Sequence, residues 1–364
     1  MTQSSPSLPP LKFKPALKDK VWGGHRLEAM VGAPQTNRNI GEAWLIWEGL
    51  VVEEGPLQGK SIAQLTREMP NELLGTQSAG QTHFPLLIKF LDPNDWLSVQ
   101  NHPDDAYAAQ HEGVPFGKCE VWWVLDAAPN TSIIHGLKRT VSEAELKAAM
   151  TNGQFRDLVE YVPAQVGDIF MNTHGIVHAL GTGVMIYELQ QSSDITYRLY
   201  DWDRQPAPGE PVRELHIDKG AAVADRDPIS QHKVHPVVLS ETWGTRRVFV
   251  ACRYFAGEAL HVQQPAWLDT QGRSFHILTL LDGTATVQTA TYHSQLNKGE
   301  SVLLPANTGT YSIVPTGGGI EAILAYVPNL HTDIIEPLRQ RKIADAAIVQ
   351  LGGDPARSDL RDLV

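Results

Sequence analysis

Apolar positions along the chain fall mostly in short runs of five to nine residues, separated by Gly, Pro and charged residues. FPLLIKFLD (84–92), WLSVQNHP (96–103), CEVWWVLD (119–126), VMIYELQQ (184–191), EAILAYVP (321–328) and the two runs joined at Asp282-Gly283 in FHILTLLDGTATVQ (275–288) are examples. Short runs rich in β-branched and aromatic residues, closed by turn residues, predict many short strands in a jelly-roll or barrel arrangement. Two stretches carry a helical pattern instead. In SIAQLTREMPNELLG (61–75), Ser61 and Gln64 stand at capping-box spacing, Pro70 interrupts the run and Gly75 is placed to close it. In residues 141–162, Ser142 and Glu145 repeat that spacing, and Leu146, Met150, Phe155, Leu158 and Val159 form an apolar stripe broken at Gly153. Such a stripe is a packing face, so this segment is expected to be a small helical insert laid against a barrel.

The fold class expected is mainly β, with two jelly-roll barrels and that insert. Residues 204–220 (RQPAPGEPVRELHIDKG) are rich in Pro and charge and read as a linker. The division expected is a first domain over 1–205, a linker over 206–234, and a second domain with a C-terminal tail over 235–364. A short internal repeat supports it: GDIFMNTHGIVH (167–178) and GESVLLPANTGT (299–310) both open on Gly and an acid, run through an apolar strand, turn, and re-enter a strand. Thr310 falls where His178 falls. The tail from His331 is expected to close over a barrel as extended chain or short helix.

Composition narrows the function class. With 364 residues, 42% apolar and 20% charged, the chain can bury sizeable cores and suits an ordinary globular enzyme. A net charge of −11 disfavours nucleic acid and anionic membranes as partners. It leaves room for a phosphorylated substrate held by a few local Lys and Arg. The two cysteines, Cys119 and Cys252, form no CxxC pair, and the N-terminal MTQSSPSLPPLKFKPALKDK lacks the apolar stretch of a signal peptide. Both observations point to a reducing, cytoplasmic setting.

One constellation carries chemistry. Gln100 and His102 are two apart on a strand that Pro103 ends, so both project to one side. Lys118 and Glu120 share a face of a later strand, with Cys119 pointing away, and His178 follows the Gly167–Asp168 turn. An amide oxygen, two imidazoles and a carboxylate form a donor set suited to Zn²⁺, with Mn²⁺, Co²⁺ or Fe²⁺ as substitutes. The competing reading is that each is a hydrogen-bonded strand residue without a ligand. The order pair, glutamate, histidine after a Gly-Asp turn resembles the cupin pattern, in which these residues converge inside one barrel. His174, four before His178, falls in a turn and is not expected to be a ligand.

Longer stretches carry a resemblance. VWGG (21–24), IGEAW (40–44), FPLLIKFLD (84–92), LSVQNHPDDAYA (97–108), GKCEVWWVLD (117–126), VHALG (177–181) and QQSSDITYRLYDWDR (190–204) occur in the order seen in bacterial type I mannose-6-phosphate isomerases. The chain resembles the short form of that family, of the cupin superfamily, over about residues 10–330. The resemblance implies an aldose–ketose isomerase with one divalent metal per chain, zinc first, a small phosphorylated sugar as substrate, and an enediol pathway. By position it puts the metal ligands on Gln100, His102, Glu120 and His178, the essential arginine on Arg198, a lysine of proton transfer or substrate binding on Lys118, and an aspartate of the site on Asp194. Where the family has Pro-Ser-Gly-Thr-x-His, this chain has Thr173-His174-Gly175-Ile176-Val177-His178. This departure keeps open a different sugar or sugar phosphate as substrate.

The residue types fit the chemistry. Arg198 stays protonated and suits stabilisation of substrate oxygens or phosphate. Lys118 serves as a base only if its surroundings lower its pKa, and otherwise orients substrate. Lys89 is a candidate contact to phosphate or hydroxyl, against an equal case for a structural lysine. A two-barrel sugar sensor without turnover is the rival of another class. It would be marked by loss of Arg198 or Lys118, and both are present. The second barrel is expected to be metal-free and structural, since His276 has no partner two residues away and Thr310 is a poor zinc ligand.

Overall fold

The computed structural model describes residues 7–206 and 212–364, so the middle of the Pro-rich linker segment lies outside the described residues. The chain is mainly β and forms four antiparallel sheets. A six-stranded sheet runs in the order Ala16–Gly24, Ile40–Ile46, Leu86–Leu91, Val184–Gln191, Glu120–Ala127, Ile169–Asn172. Facing it is a five-stranded sheet of Tyr197–Tyr200, Val99–Asn101, His178–Leu180, Ser132–Leu137 and Val159–Pro163. In the second half a seven-stranded sheet runs Leu11–Lys12, Ser301–Leu304, His276–Asp282, Ile320–Tyr326, Ala256–Val262, Gly244–Ala251, Val237–Glu241. A four-stranded sheet of Ala266–Asp269, Thr310–Pro315, Thr284–Gln288 and His293–Asn297 faces it.

Three layers of apolar contact hold these sheets. Leu91, Trp122, Phe170 and Ile186 of the six-stranded sheet meet Ile133, Val162 and Leu180 of its partner. Leu260, Leu278 and Leu304 meet Val287, Leu296 and Ile313 in the second half. The outer faces of the two large sheets then pack on each other: Phe90, Val121, Trp123 and Tyr187 lie against Phe249, Phe275, Ile277 and Ile323, with Trp123 and Phe249 edge to face at 4.7 Å between centroids. Each fully buried side chain of this size stabilises by about 1.5–3 kcal/mol. The large sheets are therefore covered on both faces, which is why FPLLIKFLD reads as an unbroken apolar run rather than an alternating one. Every residue of Ile40–Ile46 and of Leu86–Leu91 is buried, Glu42 and Lys89 included.

The predicted helices form where their caps stand. The Ser61 side chain accepts from the Gln64 N–H at 3.1 Å to start Ile62–Glu68, and Pro70 opens a second short helix, Pro70–Leu74. Ser142 accepts from the Glu145 N–H at 3.1 Å to start Glu143–Asn152, which ends at Gly153 with φ 77°. The helical insert stops at Leu158, earlier than the stripe suggested. Val159–Pro163 instead pairs with Ser132–Leu137, a ladder partner distant in sequence overriding local periodicity. The linker segment is not merely a connector either, since Ile217–Val223 is a helix whose Gly220 carbonyl accepts from Asn101 Nδ2 at 2.9 Å. The tail forms the short helices Glu336–Gln340 and Asp345–Gln350, which bury Leu338 and Ile348, with Leu351 just beyond them, against the core of the second half.

The internal repeat is visible in the backbone. Gly167 and Gly299 both turn with positive φ, 90° and 83°. Each leads to the strand on equivalent edges of the large sheets, Ile169–Asn172 and Ser301–Leu304, and then to strands that begin at His178 and Thr310. Read from those strands, the two large sheets have the same six-strand order and connectivity. Leu11–Lys12 adds a seventh strand to the second sheet, pairing with Val302 and Leu303, so the start of the chain crosses to the far half.

Candidate active site

Strand pairing assembles the site. Gln100 sits opposite His178 on one side and opposite Arg198 on the other. His102 follows the end of that strand, and Glu120 opens the strand that lies between Asn172 and Gln190. His102, Glu120 and His178 converge from three segments, each at most 1% exposed. His178 Nδ1 donates to the Ile176 carbonyl at 2.8 Å, which turns the lone pair of Nε2 inward. There it faces His102 Nε2 at 3.1 Å and Glu120 Oε1 at 3.2 Å. His102 Nε2 lies 3.6 Å from Glu120 Oε2.

Three acceptor groups turned on a common point repel one another unless a cation or proton lies between them. Burial first, and then the Lys118 charge, push the His102 imidazole down to about 3, so it is a neutral ring with a lone pair to give. Burial opposes ionisation of Glu120, but the Lys118 charge carries its carboxyl well below the ordinary range. Two imidazoles with a carboxylate, one ring oriented from behind by a backbone carbonyl, fit a divalent metal of the zinc class. Among the described residues this is the one group of three such side chains close enough to hold an ion.

Beside the triad lies a cavity of about 240 Å³ that Gln100, Lys118 and Trp122 connect to it. Lys118 Nζ stands 2.8 Å from Glu120 Oε2. The expected residues Lys89, Asp194 and Arg198 all line the same cavity. Lys89 is 2% exposed, with Glu188 at 3.3 Å, Glu42 at 3.8 Å and the exposed Asp194 at 3.9 Å. Burial alone would neutralise Lys89, but these carboxylates hold its pKa above the ordinary value. Arg198 Nη1 donates to the Glu214 carbonyl at 2.9 Å, and its Nε has no hydrogen-bond partner among the described residues.

Four charged cavity residues were not anticipated: Lys20, Glu42, Glu188 and Arg213. Glu188 is pushed up to about 7, by burial first and then by the Glu120 charge, and accepts from Trp122 Nε1 at 2.8 Å. Glu42 is carried down to about 2 because Lys89 and Lys20 outweigh its burial. Arg213 lies on the segment read as linker and pairs with Asp201 at 2.9 Å. For the two carboxylates a signal existed: Glu42 and Glu188 are charges inside otherwise apolar strand runs, as Lys89 is. His174 is turned away from the triad, with Nε2 3.2 Å from Gln191 Oε1 and its ring against Tyr254. Cys119 faces the core between the two halves and lines a cavity with Cys252.

Comparison with known proteins identifies the family. Residues 11–133 match the family described as phosphomannose isomerase type I, catalytic domain, and residues 245–326 match mannose-6-phosphate isomerase, cupin domain. The mannose-6-phosphate isomerase ManA of Bacillus subtilis (strain 168) is 34% identical over 309 residues, covering 84% of this chain and 95% of the relative. The mannose-6-phosphate isomerase of Streptococcus mutans is 35% identical over 300 residues, covering 81% and 92%. A crystal structure of mannose 6-phosphate isomerase from Bacillus subtilis superposes with a TM-score of 0.79 at 30% identity, covering 87% of this chain and 99% of that one. On sequence, fold and the converging His102, Glu120 and His178, the chain belongs to the type I mannose-6-phosphate isomerase family.

Proposed function

We propose that the protein interconverts mannose 6-phosphate and fructose 6-phosphate through an enediol, with one divalent metal, zinc, held by His102, Glu120 and His178 and completed by Gln100. The observation that carries this is the placement of a buried His-Glu-His triad beside a cavity with five basic side chains, Lys20, Lys89, Lys118, Arg198 and Arg213. When bound, the metal supplies Lewis-acid polarisation of a substrate oxygen. Around it, Arg198 and Arg213 offer fixed positive charge to phosphate or to oxygen that gains charge during the reaction. Lys118 is tied to Glu120, so it orients substrate and stabilises charge rather than acting as a free base. Glu188, raised above the ordinary carboxylate range by burial first and facing the cavity, suits a group that takes a proton from one carbon and returns it to its neighbour. Lys89 positions it, and Asp194 contacts substrate at the rim.

The paired sheets are read as two cupin-like jelly rolls. The first comprises residues 1–205 apart from the strand lent to the far half, and the second 235–364, joined through 206–234. The reaction takes place in the cytoplasm, consistent with two unpaired buried cysteines. No described helix is long and apolar enough to cross a membrane. A coupled assay on metal-stripped and zinc-restored protein tests the reading. Mannose 6-phosphate is expected to turn over only after zinc is restored. Turnover of another sugar phosphate in its place would move the assignment to that sugar.

A further inference from the structure

The second half holds a larger cavity, about 380 Å³, that the isomerase reading leaves unused. Strand register shows what it is. His276 stands opposite Leu304 as Glu120 stands opposite Asn172. Glu258 faces Leu324 as Lys89 faces Glu188, and Arg246 faces Leu260 as Glu42 faces Leu91. Asp269 lies opposite Thr310 as Gln100 lies opposite His178. Each of these second-half residues except Thr310 and the partners Leu304 and Leu260 lines the cavity. It is therefore the topological counterpart of the candidate active site, with the metal ligands replaced and the buried Lys89–Glu42 pair inverted to Glu258–Arg246.

A half that served only as a brace would fill this position with apolar side chains. Instead Glu258 is 3% exposed and accepts from Tyr326 Oη at 2.8 Å, while its Oε2 faces Arg246 Nη1 at 3.1 Å without a directional hydrogen bond. Arg246 Nε has no hydrogen-bond partner among the described residues. Burying charge with bonds left over is costly, and a ligand that completes those bonds offsets the cost. Trp267 stands at the rim with 68% of its surface exposed. An indole face in the open beside a polar floor suits a ring with C–H groups on one side and hydroxyls around its edge.

Charge decides between sugars. The first cavity has five basic side chains against the acids Glu42, Glu188 and Asp194. The second has Arg246 and Arg273 against Glu258, Asp269 and Asp333. One is cationic and the other slightly anionic, so a phosphorylated ligand is drawn to the first and repelled from the second.

We propose that the cavity of the second half binds a neutral, unphosphorylated hexose ring, stacked on Trp267 and hydrogen-bonded to Glu258 and Arg246. The test is titration of the full-length, metal-loaded enzyme with D-mannose and D-glucose by calorimetry and saturation-transfer NMR. Saturable binding is expected in the wild type and in His178→Ala, and about tenfold or greater weakening in Trp267→Ala and in Glu258→Gln, the loss of one hydrogen bond to a charged group. Trp267→Ala is expected to keep wild-type kcat/KM for isomerisation. Absence of saturable binding of either hexose by the wild type would overturn the proposal. So would binding that disappears in His178→Ala but survives Trp267→Ala, which would place it in the first cavity. Mannose 6-phosphate binding to His178→Ala more tightly than mannose, in a Trp267-dependent way, would overturn the charge argument.

Discussion

The two halves of this chain are built on one strand order and differ in what they bury at matching positions. In the first half the strands that begin at Glu120 and His178 put a carboxylate and an imidazole against His102, all three out of solvent. In the second half the corresponding starts are His276 and Thr310; Thr310 is exposed, and its hydroxyl donates to Asp269 at 2.8 Å. His276 is bonded to Tyr311 Oη at 2.8 Å, and burial, then the Arg246 charge, push it down to about 3. A scaffold of sheets thus fixes where a pocket forms, while a few side chains facing it decide whether metal-type donors converge there. The lesson is physical: cross-strand neighbours are the unit of the site, and changing two of them changes its chemistry without touching the fold.

The harshest way to break the comparison is to make the first half like the second. His178→Thr or His178→Ala removes one of three converging donors, and metal content and turnover are expected to fall together to background. Elemental analysis beside the coupled assay checks this, and full metal occupancy in either variant would remove His178 from the ligand set. Next in size is Arg198→Ala. Withdrawing a fixed charge from where oxygen gains charge should cost about 100-fold or more in kcat, with metal content intact. A near-normal rate would show that Arg213 alone suffices.

A smaller effect separates Glu188 from its counterpart, Leu324, which carries no charge. Glu188 is raised from 4.5 to about 7, so the folded chain binds this proton more tightly than the unfolded one. In metal-stripped protein its contribution to stability is full below about 4.5 and is lost as pH rises through about 7. A cation at Glu120 cancels the second cause of the shift, so metal loading should flatten the fall. Glu188→Gln should flatten it as well, with a change on the order of 1–3 kcal/mol across that window. Thermal unfolding from pH 5 to pH 8, with and without metal, reads both. An unchanged slope in the variant would assign the titration to another group.

The smallest expected effect lies at the junction of the halves. Cys119 is buried and hydrogen-bonded to Cys252, whose contact is the first cause, ahead of burial, of a thiol pKa well above the ordinary value. Native protein should resist alkylation by iodoacetamide at Cys119, and denatured protein should be labelled at both cysteines, as mass spectrometry would show. Rapid native labelling of Cys119 would mean that the two large sheets separate in solution.

Much of this was legible in residues alone. Ser61 and Ser142 cap helices because capping is a contact over three residues. The alternation around Gln100 and His102, the turn at Gly167 and its echo at Gly299 are equally local, and each survives in the folded chain. Gly175 shows how a local feature acquires a tertiary reason: its φ is 79°, and a Cβ there would lie 2.4 Å from the Val223 carbonyl oxygen. What residues alone did not determine is which strands become neighbours. Periodicity assigned Val159–Val162 to a helix, and only pairing with Ser132–Leu137 made it a strand. Glu188 and Glu42 became parts of a site only when strand register brought them to Lys89. The inversion of that charge pair in the second half was invisible until two sheets could be read against each other. Strand pairing is a contact between residues far apart in the chain, chosen by the burial of whole faces, and a linear pattern carries only one side of it.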